Sequence, residues 1–85
     1  MSSLAFDGVV YRRAAAITPH DTTNIATGPA DAVYVGGAGN VVVVFENDST
    51  VTMTAPAGAI LPVRAKRVNS TSTTATALVA LYATG

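Results

Sequence analysis

The chain has no cysteine and no tryptophan. Without thiols, no disulfide can staple the fold and no thiolate can serve as nucleophile or metal ligand. Charge is also scarce. Five Lys/Arg and five Asp/Glu make up 12% of the 85 residues and cancel to a net charge of zero. Soluble domains carry about 25% charged residues, so these residues do not coat a small monomer. A nucleic-acid-binding domain normally has a clear positive excess, so DNA and RNA are not expected partners. With one His and five acidic residues, neither a structural metal nor a cofactor is expected. No apolar run approaches the ~18 residues of a membrane-spanning helix, and no membrane partner is expected. The opening MSSLAFDGVVYRR lacks a basic leader followed by an apolar core, so it is not read as a secretory signal.

What is present is small and apolar. The chain is 49% hydrophobic. A single domain of this length buries roughly 60–65% of its unfolded surface and is marginal alone. Small folds add disulfides, a metal or a partner. With the first two unavailable, self-association is the staple left, and near-neutral charge does little to oppose it.

Strand signals recur at short spacing. AVYVG over residues 32–36 and VVVVF over 41–45 flank Gly36–Gly39, which reads as a hairpin connection. Asn47-Asp48-Ser49 is a turn of residues that tolerate a left-handed backbone. Thr50–Ala55 alternates Thr with Val51, Met53 and Ala55, the pattern of a half-exposed strand. Pro56-Ala57-Gly58 turns the chain again, and residues 63–68 and 76–83 are the last strands. The loop of residues 18–31 is rich in Pro, Gly, Thr and Asp, with Ile25 as its apolar anchor. Ala14–Ala16 suits one helical turn before Pro19. The predicted fold is all-β: a small antiparallel β-sandwich, jelly-roll-like, with seven or eight short strands. An N-terminal arm covers residues 1–16 and the sandwich residues 17–85.

Two strands, Val41–Phe45 and Ala77–Tyr82, are apolar on both faces. One face packs on the opposite sheet, and a neighbouring subunit is expected to cover the other, with cover by the long loop as the competing explanation. In Val63–Val68 the alternation breaks, and a bulge at Lys66-Arg67 would restore it. Leu4, Phe6 and Tyr11 of the arm, with Arg64, Lys66 and Arg67 of the basic strand, are the docking candidates. Such a basic strip is either a solvated edge or a surface for an acidic partner.

Catalytic signals are weak. His20-Asp21 is the only acid–base pair adjacent in sequence. It has no strained nucleophile turn beside it, and Asp21 is expected to bond the backbone of Thr23 or Asn24. Asp21, Asn24 and Asp31 are oxygen donors in one loop, but their spacing is not that of a calcium hand. The glycines at 36–39 lead into a strand, unlike a phosphate loop. No enzyme is predicted.

The order of the motifs carries a resemblance. ITPHDTTNI at 17–25, VYVG to GNV at 33–41, PAGAILPV at 56–63, KRV at 66–68 and TTAT to LY at 73–82 resemble the head-spike base proteins of tailed phages and gene transfer agents. The resemblance implies a structural virion protein on the capsid surface, made in the bacterial cytoplasm. It implies self-assembly, with a pentamer favoured, on the major capsid protein, carrying a spike or fibre protein. It brings no catalytic residue. The alternatives are a host-glycan-binding module and a trimeric capsid cement protein. A glycan module requires exposed aromatics, and only Tyr11, Tyr34 and Tyr82 are candidates.

Overall fold

The computed structural model describes residues 10–83. Leu4 and Phe6 lie outside the described residues. Among the described residues seven strands form: β1 (Arg13–Ala16), β2 (Ala32–Gly37), β3 (Gly39–Phe45), β4 (Thr50–Ala55), β5 (Ala59–Leu61), β6 (Ala65–Val68) and β7 (Thr76–Tyr82). They pack as two antiparallel sheets, β1-β7-β2-β5 and β4-β3-β6. The described residues contain no helix.

The expected β2–β3 hairpin is not there. The two strands lie in different sheets, so the chain crosses the sandwich at Ala38. Gly39 allows the crossing, with φ +155° and no room for a side chain. A Cβ there would sit 2.6 Å from the Ala75 amide nitrogen. Crossings recur between β4 and β5, between β5 and β6, and between β6 and β7. Residues 14–16 form strand rather than a helical turn, because β1 finds a partner in β7: Ala14 faces Leu81 and Ala16 faces Val79. The last residues of the sequence-defined arm thus belong to a sheet. β5 had no signal of its own, having only three residues after a Pro-Ala-Gly turn.

The core joins alternate residues of both sheets. Val33, Val35, Leu78, Ala80 and Tyr82 pack with Val41, Val43, Ala55, Ala65 and Val68, and Ile25 packs against this cluster. The outer residues of β3, Val42 and Val44, are also buried. The chain covers them itself, so no neighbour is needed on this strand. Across the ladders Thr52 faces Val42, while Thr50 and Arg67 flank Val44. The Ser/Thr-rich connector of residues 69–75, between β6 and β7, ties in alongside, with the Thr73 hydroxyl accepting from the Val42 amide at 3.0 Å.

The phase break in the basic strand is a bulge. Val44 faces Arg67 and Phe45 faces Ala65, so Lys66 is the extra residue. Ala65 and Val68 can therefore both point into the core while Lys66 and Arg67 stay half-buried between them. The long loop runs along the free side of β6. Amides of His20, Ile25 and Ala30 donate to the carbonyls of Val68, Lys66 and Ala65 at 2.8–2.9 Å. That loop closes one flank of the sandwich.

Candidate docking surfaces

The strip formed by Arg64, Lys66 and Arg67 follows from the bulge, which turns consecutive cations away from the core. Each finds a partner within the chain. Arg64 bridges Asp31 (2.6 Å) and Glu46 (2.9 Å). Lys66 pairs with Asp48. Arg67 donates to the side-chain oxygens of Asn69 (3.0 Å) and Asn24 (3.2 Å). The hydrogen bond and charge of Lys66 hold the Asp48 carboxyl below its usual range. The strip is thus a set of local ion pairs and amide contacts, with the Arg64 side chain the most open at 55% exposure.

The outer face of the β1-β7-β2-β5 sheet is different. In register, Leu81 lies between Ala14 and Ala32, Val79 lies between Ala16 and Tyr34, and Tyr34 pairs with Ile60. These positions share one face because side chains alternate along each strand. None carries a charge, and the Tyr34 hydroxyl is their one polar side-chain group. Tyr34 and Ile60 are 36% and 51% exposed. The sequence marks β7 as apolar on both faces but not the whole face, because the pairing of β1 with β7 and of β5 with β2 is not legible in it. Tyr11 is half-buried beside the start of β1. Tyr82 lies inside, its ring under the Arg13 guanidinium at 4.1 Å. Its burial leaves Tyr11 and Tyr34 as the tyrosines on offer to a glycan.

His20 and Asp21 do not assemble a reactive centre. The His20 amide is held by Val68. Asp21 accepts from the Thr71 amide (2.9 Å) and hydroxyl (2.6 Å), not from Thr23 or Asn24. These bonds lower the Asp21 pKa. The three loop oxygen donors also part company. Asp21 serves Thr71, Asn24 serves Arg67, and Asp31 serves Arg64 and the Ala83 amide. Among the described residues no cluster of three metal-ligating His, Cys, Asp or Glu occurs.

No protein-family model matches the chain, and no curated protein does. A solved structure does match: a chain of the capsid of a native gene transfer agent (GTA) particle, computed with C5 symmetry. Identity is 39% over 93% of this chain and 90% of that one, with a TM-score of 0.79. At that identity, over nearly the full length of both, this chain belongs to the same family as that protein of the gene-transfer-agent capsid.

Proposed function

We propose that the protein is a non-enzymatic structural virion protein, a self-assembling head-spike or fibre base on the capsid surface. The observation that carries this reading is the near-full-length likeness to a gene-transfer-agent capsid protein. The motif order supports the finer role, and a five-fold ring suits a neighbour solved with C5 symmetry. The partners are further copies of this chain, the major capsid protein and a spike or fibre protein.

The surfaces divide the work. The charge-free sheet face, with Tyr34, Ile60, Val79 and Leu81, is assigned to contact between copies. Contiguous exposed apolar patches mark interaction sites, and a face without charge meets another copy without like-charge repulsion. Arg64, Lys66 and Arg67, already partnered, suit a polar rim. Leu4, Phe6 and Tyr11 add an apolar arm. Electron microscopy of intact particles, with the protein deleted and restored, tests the reading. Density at the capsid vertices that is lost and regained with the protein is expected. Unchanged particles would reject it.

A further inference from the structure

The two sheets have four edges, β1, β5, β4 and β6. Exposed edges invite pairing with another chain, and proteins blunt them with charge, shortness, proline or cover. Three edges here are managed. β6 is sealed by the 18–31 loop. β1 is four residues long, opens with Arg13 and follows Arg12. β5 has three residues between Pro56 and Pro62. β4 is the exception. It runs six residues, Thr50–Ala55, with β3 as its one ladder neighbour among the described residues. It contains no charged residue and no proline, and its ladder with β3 has no register break. Val51 faces core residue Val43 in register yet is 43% exposed, and Met53 beside it is half-buried.

We propose that the β4 edge takes an added strand, supplied by residues 1–9 of a second copy of this chain. The inference rests on the self-assembly reading above and names the contact. The sequence of that segment matches the edge. Leu4 and Phe6 alternate with Ser3, Ala5 and Asp7. As a strand it would set Leu4 and Phe6 beside Val51 and Met53, and Ala5 beside the Thr row. Length also suits. Six residues of β4 run about 20 Å, and nine extended residues reach about 30 Å. Position argues for exchange between copies. The chain enters the sandwich at β1, on the flank closed by the 18–31 loop against β6. β4 is the opposite edge of that β6-containing sheet. A subunit's own arm would have to pass round its sandwich, whereas a neighbour's arm would not. Such a head-to-tail contact can close into a ring.

The absence of cysteine makes the test clean. Ala5→Cys protein and Thr52→Cys protein are mixed, dissociated, reassembled and treated with a short bismaleimide. Thr71→Cys, on the connector before β7, is the control for Thr52→Cys. The chain lacking residues 2–9 is sedimented beside the full chain. The expected result is an Ala5–Thr52 cross-linked dimer, at least tenfold stronger than Ala5–Thr71, and a folded but unassembled truncated chain. Should the truncated chain not fold, the cross-link alone decides. Oligomers that cross-link Thr52 to Thr52, or not to Ala5, would overturn arm exchange and leave self-assembly standing. So would a truncated chain that assembles like the full one. A full chain that sediments as a monomer would overturn both.

Discussion

The Tyr82 hydroxyl donates to the Gly28 carbonyl at 2.8 Å and meets the Thr27 hydroxyl at 2.5 Å. The last strand thereby anchors the tip of the 18–31 loop, while the Tyr82 ring lies buried under Arg13. Tyr82→Phe keeps the ring and its stacking but removes these bonds and leaves a polar loop carbonyl short of a partner. The expected loss is about 1–2 kcal/mol, measured by urea denaturation. Tyr82→Ala also removes the ring, and about 3–5 kcal/mol is expected by analogy with large-to-small aromatic changes. Equal losses for the two variants would show that the hydroxyl, not the ring, carries the anchor.

Two glycines should respond differently. At Gly39, Ala must accept φ +155° and place its Cβ 2.6 Å from the Ala75 nitrogen. At Gly58, Ala meets φ +83° with open space around it. Backbone strain alone costs about 1–2 kcal/mol. Gly58→Ala should lose that much and remain folded. Gly39→Ala should lose clearly more, because the neighbour is backbone and cannot step aside. Thermal melts of both variants make the comparison, and a milder effect at Gly39 would contradict the packing.

Strand chemistry was the readable part of this sequence. Thr50–Ala55 alternates in sequence and forms β4 with the bounds the alternation suggests. The bulge at Lys66 was legible because Arg67 stands where the alternation of Val63 and Ala65 calls for an apolar residue. Sheet membership was not. Gly36–Gly39 carries the glycines of a hairpin, but Gly39 crosses between sheets against Ala75, a contact 36 residues away that no local pattern records. Ala14–Ala16 has no strand signal, and β7 alone makes it β1. The partners of Asp21 and Arg64 are equally remote: Thr71 for the first, Asp31 and Glu46 for the second. The docking candidates could therefore be named from residue type, while the ion pairs of Arg64 and Lys66 could not.

Fold and assembly should separate by mutation. Val43 is fully buried between Val51 and Val68 across the ladders. Val43→Asp places a carboxylate where only protonation or unfolding relieves it, at several kcal/mol. Such a loss rivals the ~5 kcal/mol stability of a weakly stable domain. Insoluble or unfolded protein is expected. Ile60→Asp falls on the open sheet face, so the subunit should fold with a nearly unchanged circular dichroism spectrum while sedimentation shows weakened assembly. An Ile60→Asp protein that assembles normally would remove that face from the interface.

Acid should loosen the loops before the core. Asp21 and Asp48 both have carboxyl pKa values lowered below the usual 3.8, by Thr71 and by Lys66 respectively. A carboxylate whose folded pKa is depressed adds stability that is complete above the unfolded value. That stability is lost as pH falls through the folded value. The loss should therefore begin near pH 4 and continue below it. Both groups are exposed, so the effect is small. Asp21→Asn should flatten the acid limb of a stability–pH curve and leave neutral stability slightly lower. An unchanged limb would show that the Thr71 contacts contribute nothing in solution.

Reversing the basic strip tests what it is for. Arg64 stands against Asp31 and Glu46, and Lys66 stands against Asp48. Arg64→Glu combined with Lys66→Glu puts two new carboxylates among three existing ones, so repulsion arises inside the subunit before any partner arrives. Exposed pairs of this kind contribute little to stability. The doubly reversed protein should lose little stability and still fold. If the strip is only a self-neutralised rim, wild-type assembly and particle attachment should fall little between 50 and 500 mM salt, and the reversed protein should still decorate particles. If the strip meets an acidic capsid or fibre surface, attachment must exchange its own ion pairs for foreign ones. It would then weaken as salt shortens the reach of exposed charge, and reversal would strip the particles while leaving the subunit folded. The ion pairs within the chain favour the first outcome. Attachment assays across that salt range, on particles decorated with each protein, decide between a rim and a charged docking site.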